Sequence, residues 1–481
     1  MYSSFFGIEI AKKALFAQQR ALENVSHNVA NANTPGYSRQ RAIMESTYMK
    51  PYGGTNLAGT GAYQLGSGVK VEDIARVRDS FKDMQFREEN SNLGFWEFQA
   101  DSLTQIESIF NEPSDIGISS VLTAFWNSLE ELSKNPEAVE IRETVKENAV
   151  TLADTINHTA NQLQQILDDV NFRLSVKIDE VNNLARQISE LNAQISQTEI
   201  VGVTASDLRD KRDLLLDDLS KLVNIDTYED QNGVFTVTVG GSILVKGSDY
   251  ETVKLDDGGD PSNTSPIVKW SGYGTAVNLS KGELKGLINL RDDKIKAYQD
   301  KLKNFTATLA AEFNNIHRQG YGLDGSQGDF FKDSSNLGSG EIIAVDDRIL
   351  NDLSKIAAAK SLDAVSGKPL SGDNQNALEL ANLKYSKFSI DGQNITLDDY
   401  YGALISKLGV DSREAQRMVD SQEVIVSQLD EQRKEISGVS LDEEMAKMIM
   451  YQHAYNAAAR VVTAIDEMLN TIVNGMGITG R

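Results

Sequence analysis

The chain has 481 residues, 40% apolar and 24% charged, which allows packed cores and more than one domain. A formal charge of −23 excludes general nucleic-acid binding, which needs a basic face to displace counterions, and docking on anionic lipid. With no cysteine, disulfides, thiolate metal sites and a thiol nucleophile are excluded too.

The N-terminus does not read as a secretory signal, because Lys12 and Lys13 interrupt it, and no segment reaches the ~18 apolar residues of a membrane helix. Instead Ile8, Ala11, Leu15, Leu22, Val25, Val29 and Ala32 follow the three-and-four spacing of an amphipathic helix, with Gln18 as one polar gap. Pro35 stops it, and Thr34-Pro35-Gly36-Tyr37 suits a turn. Residues 44–70 read as an extended loop with room for short strands. Helix returns near Ser80 and breaks at Glu112-Pro113-Ser114-Asp115, where Ser114 or Asp115 could cap the next helix.

Residues 138–200 carry the clearest periodicity, through Val145, Ala149, Leu152, Ile156, Leu163, Ile166, Val170, Leu174, Ile178, Val181, Leu184, Ile188, Leu191 and Ile195. One helix of that length would run about 90 Å. A shorter helix follows from Ser206 to about Val223, with Leu215, Leu219 and Leu222 on one face. The period then changes. Val234–Val239, Ser242–Val245, Glu251–Leu255 and Ile267–Trp270 read as strands between Gly-, Asp- and Pro-rich turns, a small β-rich insertion over 224–280. Helix resumes from about Lys281 to His317, residues 320–395 are mixed, and the last 80 residues are helical with a break near Ser437-Gly438. Leu441, Met445, Met448, Tyr455, Val462, Leu469 and Val473 give the final helix an apolar stripe.

The fold class expected is mainly α with a β-rich insertion. Paired terminal coiled-coil helices (1–35 plus 438–481) would join a long-helix bundle domain (36–223 plus 281–437) and a small outer β domain (224–280). The ends carry opposite charge. Lys12, Lys13 and Arg20 outnumber Glu9 and Glu23, whereas Asp442, Glu443, Glu444, Asp466 and Glu467 outnumber Lys447 and Arg460, which suits ends lying side by side.

No catalytic constellation emerges. The four histidines, His27, His158, His317 and His453, are far apart and begin no zinc motif. Asp256–Asp260 and Asp324–Asp329 lack the regular ligands of a calcium loop and read as turns. No cofactor is expected.

Ala30-Asn31-Ala32-Asn33-Thr34-Pro35-Gly36-Tyr37-Ser38-Arg39-Gln40 resembles the N-terminal signature of flagellar rod, hook and hook-associated proteins. Glu112–Gly117, Asn135-Pro136 with Arg142, Leu208–Asp213, Gly286-Leu287-Ile288, Arg291-Asp292 and Phe313-Asn314 with His317 are similar to the first hook-associated protein family. So are Ser437–Glu444, Tyr451–Tyr455, Ala459–Val462 and Asp466–Leu469. The resemblance covers nearly all the helical parts and is weak over 226–280 and 320–395.

It implies a structural, self-assembling junction between flagellar hook and filament, exported by the flagellar type III apparatus and non-catalytic. Copies of the chain would form a ring, with hook protein below and the second junction protein above. An export chaperone would hold the C-terminal helix first. The assembly interface would comprise Ile8, Leu15, Leu22, Val25 and Val29 with Leu441, Met445, Met448, Tyr455, Val462 and Leu469; the motif residues Asn31, Asn33, Thr34, Pro35, Gly36, Tyr37 and Arg39 would aim the chain out of the inner tube. Terminal helices too thinly covered to be stable alone would order on assembly. The alternatives are another flagellar axial protein, such as the hook protein or the second junction protein, and a cytoplasmic coiled-coil adaptor.

Overall fold

The computed structural model describes residues 5–48, 66–200, 202–259, 265–363 and 367–475. It is mainly helical, with small antiparallel sheets. The chain divides into two compact units, one from Met1–Ser91, Val181–Thr252 and Glu423–Arg481, the other from Asn92–Glu180 and Val253–Gln422.

In the first unit the N-terminal helix spans Phe5–Ala30 and the C-terminal helix Leu441–Gly475. The loop expected over 44–70 begins and ends in strand. Gln40–Tyr48 pairs antiparallel with Gly66–Arg76, and the intervening residues 49–65 lie outside the described residues. The helix Ser206–Leu222 packs Leu216, Leu219 and Leu222 inward. Leu215, expected on that face, is only half-buried. Leu216 takes its place beside Leu219 and Leu222, and the same helix also buries Asp210, Arg212 and Asp213. Ile225–Glu229, Phe235–Val239, Ser242–Lys246 and Asp249–Tyr250 form a four-stranded antiparallel sheet in chain order. Alternation places Phe235, Val237 and Val239 in the core.

The remaining strands of the insertion, Val253–Asp256 and Ile267–Trp270, form a hairpin in the second unit. There the helix Ile118–Lys134 stacks Phe125 against Phe313, Phe330 and Phe331, with ring centroids 5.5–6.2 Å apart. That helix is capped from behind. Gly117 stands at the cap position without a side-chain bond, and Glu112 Oε1 accepts Ser119 N–H at 2.8 Å, so neither Ser114 nor Asp115 does the capping. The long helix runs Val139–Glu199, and every apolar position predicted on it is buried except Ile166 and Leu191. Glu283–Asn289 passes through a π-helical stretch, Leu290–Ile295, into Lys296–His317. The helix Leu397–Ser437 draws on both units.

Residues 320–395 contain little regular structure, so buried side chains satisfy their backbone. Asn314 Oδ1 accepts the N–H groups of Phe330 and Phe331. Arg142, 1% exposed, donates to the carbonyls of Leu353 and Ile356. His317 accepts Ala357 N–H at Nε2 (2.9 Å) and holds Nδ1 2.7 Å from Gly328 O, which fixes a neutral ring protonated at Nδ1.

Burial pushes the pKa of His317 down to about 4, against the pull of Gly328 O and Asp329 and with the push of Arg348 and Arg142. A base whose folded pKa is lowered loses stability as pH falls from its unfolded value of ~6.5 towards the folded one, by about 3 kcal/mol. Urea unfolding followed by tryptophan fluorescence should show this loss between pH 6.5 and 4, since Trp96, Trp126 and Trp270 all lie in this unit. His317→Gln should be less stable at neutral pH but flatter across that window. An equally steep variant would remove His317 as the cause.

Candidate assembly surface

The N-terminal helix ends four residues before Thr34 in a chain of local bonds. Asn31 N–H and Nδ2 both donate to His27 O, Thr34 Oγ1 donates to Asn31 Oδ1, and Tyr37 N–H donates to Thr34 O. Gly36 has φ +75°, a conformation that favours glycine, and a Cβ there would stand 3.3 Å from Leu214 Cβ, a tight approach. Pro35 and Asn33 are exposed.

The turn delivers the chain to a buried hub. Tyr37 Oη donates to Asn28 Oδ1 at 2.8 Å and lies 3.0 Å from His27 Nδ1. Burial, then Asp207, Asp210 and Glu444, push the Tyr37 phenol well above its usual pKa, so it remains a donor. Asn28 Nδ2 donates to Gln40 O and to Glu444 Oε2, 2.8 and 2.9 Å away. Glu444 is 1% exposed and pairs with Lys447 at 2.6 Å. Arg39 reaches Ser437 O through its backbone N–H and Glu443 through its guanidinium. One turn motif therefore ties the end of the N-terminal helix to the start of the C-terminal helix, residues more than 400 apart in sequence.

Behind the hub lies a lattice of arginines and aspartates. Arg76 Nη1 is 2.8 Å from both Asp210 and Asp213; Arg78 pairs with Asp83 and Asp213; Arg87 with Asp213 and Asp217; Arg433 with Asp217 and Asp430. Ser38 N–H donates to Asp210 Oδ2, which joins the motif to the lattice. Burial opposes the charge of Asp213, yet Arg78, Arg87 and Arg76 hold its carboxyl down at about 2. Sequence reasoning noted Leu208–Asp213 only as part of a resemblance. The missed signal is an aspartate every three or four residues (Asp207, Asp210, Asp213, Asp217) on a helix that also carries leucines.

From the hub the terminal helices run antiparallel. Asn28 meets Glu444 at one end, and at the other a Cβ on Gly7 would stand 3.1 Å from Ile465 Cδ1. The register is thus constant over 21 residues of each helix, about 32 Å.

The two predicted stripes divide between covered and open positions. Val25 is buried, while Ile8, Leu15, Leu22 and Val29, spaced by sevens, are half-buried. On the C-terminal helix Met448, Tyr451, Ala454, Ala458, Ala459, Val462, Ile465 and Leu469 are the half-buried apolar positions, and most of them form the seam. Leu441 and Tyr455 stand seven residues from Met448, in line with the seam, but lie open, as does Val473 a turn beyond Leu469; Met445 (52% exposed) and Ile449 lie further round on one side. Met450, Val461, Met468 (57% exposed) and Ile472 flank it on the other.

Nothing in this region suits a metal: among the described residues no three His, Asp or Glu side chains are grouped to hold one. Asp256 and Asp324 accept the N–H groups of Gly258 and Ser326 within turns, and Asp260 lies outside the described residues. No helix among the described residues is long and apolar enough to cross a membrane.

Residues 103–331 match the family described as flagellar hook-associated protein FlgK helical domain. Residues 8–37 match flagella basal body rod protein, and residues 431–475 match flagellar basal body rod FlgEFG protein C-terminal. Flagellar hook-associated protein 1 of Bacillus subtilis is 37% identical over the whole of both chains. The proteins of the same name from Salmonella typhimurium and Escherichia coli are 26% and 24% identical, each over 97% of this chain and 99% of the relative. The flagellar hook junction protein FlgK from Burkholderia pseudomallei, 16% identical, shares the fold with a TM-score of 0.62 over 74% of this chain and all of that one. Full-length identity to the Bacillus protein, with rod-protein matches falling on the two antiparallel terminal helices, places the chain in the flagellar hook-associated protein 1 family.

Proposed function

We propose that this chain is a structural, non-catalytic subunit that joins the flagellar hook to the filament, built into the extracellular axis after passing through the cytoplasm. The observation that carries this reading is the C-terminal helix, whose apolar residues extend to both sides of the seam that its own N-terminal helix covers. Each Leu, Val or Met brought from water into a packed interface contributes about 1.5–3 kcal/mol. A ring of copies, each laying its terminal helices against the flanks of the next, supplies the missing cover. In this reading residues 1–35 and 438–481 line the inner tube, and the hub at Asn28, Tyr37, Arg39 and Glu444 sets the angle at which the chain leaves it.

The neighbours proposed along the axis are the hook protein and the second junction protein. The soft flank of Met445, Met450 and Met468 suits prior capture by an export chaperone, because methionine adapts to different partners. Deleting the gene should give hooks without filaments and shed flagellin into the medium, with filaments restored by the intact gene. Normal filaments in the deletion strain would overturn the junction role, and loss of hooks would move the chain down the axis.

A further inference from the structure

Leu191 and Leu215, apolar positions that periodicity places inside, are both only half-buried, and they open onto the same place. With the exposed Leu214 they floor a groove of about 350 Å³ between the end of the long helix and the helix Ser206–Leu222. Gln187, Gln194 and Lys211 stand on its rim, and Gly36 of the turn motif packs on Leu214. Glu190, also on the rim, is taken by Arg186 at 2.7 Å, whereas Lys211 has no acidic partner among the described residues. Three leucines open to water in one groove are apolar surface that a partner can remove from water.

The same pair of helices ends in a projection. Between Glu199 and Ser206 the chain turns, leaving Ile200 82% and Val203 61% exposed. Gly202 has φ +80°, and a Cβ on it would meet nothing within 4 Å, so the tip stands out into solvent. It is nonetheless held firmly. Gly202 N–H donates to Glu199 O at 2.9 Å, Arg209 donates to both carboxylate oxygens of Glu199 at 2.7 and 2.8 Å, and Thr204 Oγ1 donates to Asp73 Oδ1 at 2.9 Å. A fixed apolar tip loses little freedom when it docks. Beside Val203 lies Asp207, exposed and without a lysine or arginine partner among the described residues.

We propose that the tip at Ile200 and Val203 of one copy seats in the groove of Leu191, Leu214 and Leu215 of the next. This rests on the self-assembly reading and names a contact within it that lies outside the terminal helices. Shape, charge and topology match. The tip offers two branched apolar side chains to a floor of three leucines. A carboxylate without a basic partner stands beside the tip and an ammonium without an acidic partner beside the groove, so docking gives each its counter-charge. Leu191 lies about 12 Å of helix before Glu199, beyond the reach of the anchored tip, so a chain cannot fill its own groove. Each copy carries one tip and one groove, and a contact between two different surfaces repeats from copy to copy, as an axial structure requires.

The absence of cysteine makes the contact directly testable in the full chain. Val203→Cys and Gln187→Cys change two exposed positions, separated within one chain by about 18 Å of helix, too far for a disulfide between them. In purified flagella carrying the double variant, mild oxidation should link copies into a ladder of dimers, trimers and larger species on a non-reducing gel. Each single variant, and the double variant as dilute monomer, should give no ladder. Ile200→Asp should leave the urea midpoint of the monomer unchanged and, as the only copy in a cell, cut the number of filament-bearing hooks severalfold. Protein that is present in the flagella but unlinked, or linked only into dimers, overturns the proposal, as do full filaments from Ile200→Asp. Unlinked copies together with filaments lost in Ile200→Asp overturn it in favour of a different protein on the tip. Failure of the junction reading shows separately, as normal filaments in the deletion strain.

Discussion

Replacing Asp213 by alanine will destabilise the first unit by about 3–5 kcal/mol. The carboxylate lies within 3.3 Å of Arg76, Arg78 and Arg87. Removing it leaves three largely buried guanidiniums facing one another without their shared counter-charge. Asp213→Asn keeps the shape and some hydrogen bonds, so it should fall between alanine and the parent. The acid limb follows the same logic. The folded carboxyl titrates near 2, below its ordinary 3.8, so its contribution is complete above 3.8 and is lost as pH falls through 2. That window lies below the one set by His317. Because every tryptophan belongs to the second unit, far-UV circular dichroism should detect the Asp213→Ala loss at lower urea than tryptophan fluorescence does. Coincident transitions at the parent's midpoint would mean that the lattice contributes nothing net.

The regular parts of this structure were readable because helix and strand periods are written directly in the spacing of apolar residues. The long helix lies within a residue of its expected ends, and the break at Ser437-Gly438 is where the two last helices part. What escaped the sequence depends on pairing across distance. Asp210 and Asp213 look like ordinary solvated charges until Arg76, Arg78 and Arg87, more than a hundred residues earlier, are brought to them. For the helix Ile118–Lys134 the sequence offers Ser114 and Asp115, four and three residues before its start, as caps, but a turn folds Glu112 back over the helix end instead. Among the motif residues, the roles of Gly36, Tyr37 and Arg39 emerge only with Leu214, Asn28 and Glu443 in place. Periodicity identified the C-terminal stripe but could not divide it. Met448, Val462 and Leu469 belong to the seam, and Leu441, Met445 and Tyr455 lie open.

That division yields the second large effect. Met445→Glu and Met468→Glu place a charge on one flank each, at positions already more than half exposed. In the free chain such changes should stay within about 0.5 kcal/mol, and circular dichroism and urea midpoint should match the parent. In a ring the same carboxylate would enter an apolar contact without a partner, which costs several kcal/mol at every copy around the axis. Cells whose only copy carries either variant should secrete it into the medium, retain hooks and grow no filaments. Val462→Glu differs in kind. It strikes the seam with the N-terminal helix, so amide exchange of residues 10–30 should quicken in the monomer itself. Full filaments from Met445→Glu would show that its flank faces solvent in the assembled axis. A variant retained in the cytoplasm would instead assign the flank to export, since a charge that blocks chaperone capture acts before any ring can form.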